Sequence, residues 1–198
     1  MERRACLYFY ERASPDTGLV LDRARADGRE SRRIASIAAT GFGLSALCIA
    51  HQRGFLSGRE ARQRVERTLE FLLSGTPRMH GFYYHFLDAD TGARAPGCEL
   101  SSVDTTWLLC GVIFARQHFG TGKILELANE IIDTIEWGWM WDAGPALCHG
   151  WTPEGGLPPV PLGLLFGTAR DVLARDGLRL SSDPARCLER LAAAQARV

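Results

Sequence analysis

Residues 33–53 carry apolar or small side chains on nearly every face of a helix, so this segment predicts a helix enclosed by other helices. The next segment is amphipathic. It begins at Ser57 with Glu60 three residues on, a capping-box spelling. Ala61, Val65, Leu69 and Leu72 then share one face, while Arg59, Arg62, Arg67 and Glu70 serve the other. An inner helix followed by an outer one is the simplest reading, and the pattern recurs. Residues 103–119 are again mostly apolar. Residues 123–136 are again amphipathic, with Ile124, Leu127, Ala128, Ile131 and Ile135 along one stripe. A further helix near residues 2–13 stops at SPDTG, where Pro15 and Gly18 set a turn. Outer helix, long loop, inner helix, short turn makes a unit of roughly sixty residues, within the range of helical-pair repeats. The fold class expected is all-α, built from helical hairpins.

Three long loops, at residues 19–23, 81–99 and 137–154, follow outer helices and should emerge at one end of the assembly. Function belongs at that end, because loops on a rigid scaffold usually carry it. Trp137, Trp139 and Trp141 alternate with period two, which predicts an extended segment whose rings pack into the core.

Charge excludes some partners. The 198 residues hold 23 basic and 23 acidic side chains, so no net field favours nucleic acid or an anionic membrane. Residues 34–50 fall short of a membrane span of about 18 to 20 residues and are diluted by Ser36, Thr40, Gly41, Gly43 and Ser45. The first residues lack the apolar core and cleavage site of a secretory signal, so a cytoplasmic location is the default expectation. Six cysteines lie scattered with no CxxC pair, which supports neither zinc nor a disulfide framework. Cys48 and Cys110 sit in apolar runs, where cysteine usually acts as a small hydrophobe.

The chemistry gathers in GFYYHFLDADTGARAPGCELSSVDTTWLL, residues 81–109, where an aromatic run and a turn deliver Glu99 and Asp104 to the start of an apolar helix. Acids beside aromatic rings suit carbohydrate cleavage. One protonated carboxyl releases the leaving oxygen, and a carboxylate activates water or attacks carbon. Flat rings offer an apolar platform to sugar C–H groups. Each residue also has a plainer role open to it. Ser101 and Asp104 spell a helix cap, and acids are favoured at helix N-termini. Glu99 could be a solvated loop acid, and His85 a buried, hydrogen-bonded imidazole. Asp88, Asp90 and Gly92 suit a tight turn, with a spacing that does not match an EF-hand calcium loop. Asp22 and Arg23 could form a surface ion pair.

The segments IASIAATGFGLSALCIAHQRGFLSGREARQRVERTLEFLL, GFYYHFLDADTG, CELSSVDTTWLLCGVIFARQHF and WGWMWDAGPALCHGWTPEGG closely resemble the glycoamylase-like family of bacterial glycoside hydrolases, over roughly residues 3 to 156. The resemblance implies part, about half, of an (α/α)6 toroid in residues 1–155, and relatives acting on β-1,2-glucans. It implies a cleft lined by Tyr84, His85, Glu99, Asp104 and Trp151, with Glu99 and Asp104 as catalytic or orienting acids; Asp22 is kept beside them as a secondary substrate contact. The partner implied is a glucan or related oligosaccharide, and paired-carboxylate hydrolysis requires no cofactor or metal.

Beyond residue 155 the resemblance stops. The family continuation would bring aromatic residues and an acid, whereas residues 157–198 begin LPPVPLGLLFG. Permitted codons for this stretch, read one base forward, spell a family-like GFLPYRWGYSSE. Residues 156–198 are therefore expected to be a frameshifted, non-native tail, and the chain an incomplete and inactive hydrolase with uncovered apolar surface on its inner helices. The underlying DNA sequence decides this. The alternative is a non-catalytic helical-repeat binding module. A terpene-cyclase-like toroid would need an Asp-rich motif on an inner helix, and none is present.

Overall fold

The computed structural model describes residues 2–25, 27, 31–141 and 147–156; the expected tail, its first residue apart, lies outside the described residues. Five helices form among them: α1 Glu2–Arg12, α2 Ile37–Gln52, α3 Gly58–Ser74, α4 Ser102–Phe119 and α5 Lys123–Asp133. Short strands accompany them: β1 Ile34–Ser36, β2 Arg78–Met79, β3 Phe82–Tyr83, β4 Phe86–Asp88, β5 Leu100–Ser101 and β6 Gly150–Trp151. The fold is mostly helical, and its outer and inner helices alternate as part of an (α/α) toroid. The short strands lie in the loops and leave the expected helical class unchanged.

The inner pair α2 and α4 forms the most extensive helix contact, because two glycines let the backbones meet. A Cβ on Gly111 would lie 2.0 Å from the Gly41 carbonyl oxygen, and one on Gly41 would lie 2.4 Å from that of Trp107. Around this crossing the outer helices bury the predicted stripes. Ala61, Val65, Leu69 and Leu72 on α3 are fully buried, as are Ile124, Ala128 and Ile131 on α5. Each such Leu or Ile contributes about 1.5–3 kcal/mol. The Ser57–Glu60 capping box forms in full and starts α3.

The inner helices also carry exposed apolar surface. Phe42 and Ile49 on α2, and Trp107 and Phe114 on α4, all stay more than a third exposed, with the Phe42 and Trp107 rings 5.3 Å apart. Cys48 is buried as expected, and burial pushes its thiol up to about 12. Cys110 is exposed, because its position on α4 faces out beside Trp107 and Phe114 rather than into the core.

Two further expectations change. Residues 33–36 are extended rather than helical, because Ser36 caps α2 by accepting from the Ala39 N–H. The segment Trp137–Met140 is a 3-10 turn, not an extended run. Trp137 and Trp139 still pack against the core, while Trp141 is 40% exposed. Among the described residues no helix is long and apolar enough to cross a membrane.

The short strands tie the three long loops together at the N-terminal ends of α2 and α4. Leu21 bridges Ala35, and β1 pairs antiparallel with β4. Tyr84 bridges Leu100, and β5 pairs antiparallel with β6. β1 leads directly into α2 and β5 into α4, so the loop cluster sits over the start of both inner helices.

Candidate functional site

The backbone brings His85 between the two predicted acids. Its N–H donates to the Glu99 carbonyl at 2.9 Å, and its own carbonyl accepts from the Ile37 N–H at 3.2 Å. This fixes the imidazole between the β5 approach and the start of α2. Nδ1 then lies 3.1 Å from Glu99 Oε1, and Nε2 lies 3.4 Å from Asp104 Oδ1. One ring thus meets a carboxylate at each nitrogen. Only the imidazolium can donate from both, so the arrangement favours the protonated ring.

The electrostatics agree. Burial alone pulls His85 down, but the Glu99 hydrogen bond and the charges of Asp104, Glu99 and Asp22 outweigh it and raise its pKa. The His85 hydrogen bond lowers Glu99; burial opposes this, while a backbone hydrogen bond and the charges of His85 and His149 add to the lowering. Glu99 is therefore held ionised, suited to accepting hydrogen bonds or steadying developing positive charge rather than to donating a proton.

Asp104 serves the helix as well as the cluster. Ser101 Oγ accepts from the Asp104 N–H at 3.1 Å and donates to Asp104 Oδ2 at 2.5 Å. The cap explains why Asp104 stands in the first turn of α4, where the helix dipole also favours it. The other oxygen remains on His85, so the cap and the cluster share one carboxylate.

The remaining predicted residues fall into different settings. Trp151 is partly buried on β6, and its ring tilts against Trp139 at 5.4 Å, with His80 stacked 4.5 Å from the other tryptophan. Tyr84 is only 8% exposed and lies in the core, with the Arg94 guanidinium 4.8 Å above its ring. Asp22 is paired with Arg23 at 2.5 Å, on the side of the cluster where its charge acts on His85. The Asp88 turn forms as expected: its Oδ1 accepts from the Asp90 and Thr91 amides, and Arg33 grips Asp90 through two hydrogen bonds.

Several supports were missed in the sequence. Gly150 lets β6 close over Glu99: a Cβ there would sit 2.7 Å from Glu99 Cγ and 2.6 Å from the Leu100 carbonyl oxygen. Arg94 binds Glu154 with two nitrogens and donates to the Cys98 carbonyl at 2.6 Å, stapling the loop before Glu99 to the turn after β6. Ser102 Oγ donates to the Cys148 carbonyl at 2.7 Å and clamps the same segment onto α4. Among the described residues no group of three or more His, Cys, Asp or Glu side chains is arranged to hold a metal ion.

No family model matches the chain. Individual proteins do. It is 29% identical over 161 residues to an exo β-1,2-glucooligosaccharide sophorohydrolase (non-reducing end) of Parabacteroides distasonis, covering 74% of this chain and 21% of that protein. Among solved structures, an endo-β-1,2-glucanase from Chitinophaga pinensis, in complex with sophorotriose and glucose, superposes with a TM-score of 0.69 at 26% identity. That match covers 77% of this chain and 39% of the other. Sequence and fold both show the resemblance to the glycoamylase-like glycoside hydrolases. A β-1,2-glucanase from Parabacteroides distasonis matches at 28% identity and a TM-score of 0.67, with 78% and 23% covered. The chain thus spans between about a fifth and two fifths of the length of these relatives.

Proposed function

We propose that the loop end of this glycoamylase-like chain is a glucan-binding site, with Glu99, His85 and Asp104 as its charged floor and Trp151 as an aromatic contact. The observation that carries the reading is the convergence of both acids on one imidazole. It presents ordered carboxylate oxygens beside partly buried rings, which is the chemistry a pyranose needs. The relatives' action on β-1,2-linked glucose supports that linkage for the ligand.

In this reading Asp104 and Glu99 orient sugar hydroxyls or take the carboxylate role in hydrolysis. Hydrolysis also requires a carboxyl that stays protonated. Glu99 is held ionised by His85 and does not meet that need. This reading has the chain bind glucan without turnover. This same feature favours the second reading, a non-catalytic binding module.

Calorimetric titration with sophorotriose, followed by an assay of reducing-sugar release, separates these outcomes. The reading expects saturable binding that weakens at least about tenfold in Asp104→Asn, the scale of one lost charge-assisted hydrogen bond. It expects no release of reducing sugar. Absence of binding overturns it, and turnover by this chain overturns the assignment of inactivity.

A further inference from the structure

Three extended segments lie side by side next to His85. Leu21 bridges Ala35, and β1 pairs with β4 in the register Ile34 to Asp88 and Ser36 to Phe86. Strand alternation sends Leu21, Ala35 and Leu87 into the core, where all three are buried. Asp22, Ile34 and Phe86 face the other way and, with Arg23 and Arg32, line an open cavity of about 220 Å³.

The composition of this cavity narrows its ligand. Ile34 remains 37% exposed although it belongs to a paired strand, so an apolar surface is presented to solvent. The Phe86 ring lies nearly parallel to that of His85, at 19° and 3.7 Å between centroids, which joins the cavity to the Glu99 and Asp104 cluster through a single ring. At the rim, Asp22 and Arg23 pair at 2.5 Å. A phosphate would meet the Asp22 carboxylate and a cation would meet the arginines. A neutral polyhydroxylated ring tolerates both signs, using the carboxylate as acceptor and the guanidinium as donor. Its C–H face suits an aromatic and aliphatic floor.

We propose that this cavity is a second saccharide subsite, in which one pyranose ring rests on Phe86 and Ile34 and hydrogen-bonds Asp22 and Arg23, beside the ring held over Glu99, His85 and Asp104. The proposal rests on the glucan-binding reading above. It assigns that site a direction, running from the α4 terminus across His85 toward the loop after Leu21.

Isoleucine-methyl NMR on the full chain tests it, with the Ile34 signal assigned from an Ile34→Val variant and sophorotriose as the probe. The expected result is a saturable shift of the Ile34 methyl with the same midpoint as the His85 ring signals, and an affinity about tenfold lower in Asp22→Asn. If His85 responds while Ile34 stays still and Asp22→Asn binds within twofold of the native chain, the subsite is overturned and the glucan site stands. If neither signal moves, the glucan reading falls and the subsite with it.

Discussion

The carboxylates of Glu99 and Asp104 meet across the His85 imidazole, one at each ring nitrogen, although they start from a loop and a helix N-terminus. The sequence places them five positions apart. The ring converts that spacing into a shared charged floor, and most of the testable behaviour of the chain follows from it.

The first consequence is a pH dependence of stability. His85 is raised above its ordinary 6.5, so its contribution is complete below 6.5 and is lost as pH rises through the folded-state value. Glu99 is lowered below its ordinary 4.5, so its contribution is complete above 4.5 and is lost as pH falls through the folded-state value. Both contributions are complete between those two ordinary values. Urea unfolding across pH 4 to 9 should show the pair's stabilisation greatest in that window. A His85→Gln variant should lose this component, while an unchanged profile in the variant would contradict the bridge.

Ser101 is buried and occupied twice by Asp104. Removing its hydroxyl leaves the Asp104 N–H without a partner at the start of α4. Ser101→Ala should cost about 1 kcal/mol, with a ceiling near 2. The free energy of urea unfolding, compared with that of the exposed cap variant Ser57→Ala, checks this.

Gly111 leaves no room for a side chain. Its added Cβ would overlap the Gly41 carbonyl, a backbone atom that can give way only if α2 and α4 separate. Gly111→Ala should destabilise by about 3 kcal/mol or more, at the upper end of overpacking costs. Gly138→Ala, where an added Cβ meets nothing, should stay within about 1 kcal/mol of the native chain. Similar losses for the two would remove the helix crossing from the account.

The cysteines offer a chemical probe of burial. Cys110 is exposed, whereas Cys6, Cys48, Cys98 and Cys148 are buried. Burial is the leading cause that raises the thiols of Cys6, Cys48 and Cys98, which makes the reactive thiolate scarcer. Iodoacetamide at neutral pH, read by peptide mass mapping, should label Cys110 well before these four. Early labelling of Cys48 would contradict the packing of α2.

Much of the scaffold was legible in residue order. The α3 stripe from Ala61 to Leu72 and the Ser57 cap are local patterns, and local patterns survive into the fold. The cap that places Asp104 was visible for the same reason. The bridge was not. His85 reaches acids 14 and 19 positions away only because Tyr84 bridges Leu100, and strands of two or three residues are too short to leave a period in the sequence. The resemblance put Tyr84 in the lining of the cleft, and its burial under Arg94 depends on that same long-range pairing. Cys110 misled in the opposite sense, since an apolar run on α4 implied enclosure while one side of that helix stands open beside Trp107 and Phe114.

The most direct test of the central claim follows the ¹⁵N signals of the His85 ring during titration with sophorotriose. The bridge and the glucan site together predict a doubly protonated ring near pH 6 whose two nitrogens shift saturably with the sugar, and lose that response in Asp104→Asn. A ring that titrates like a free histidine and ignores the sugar would contradict the account.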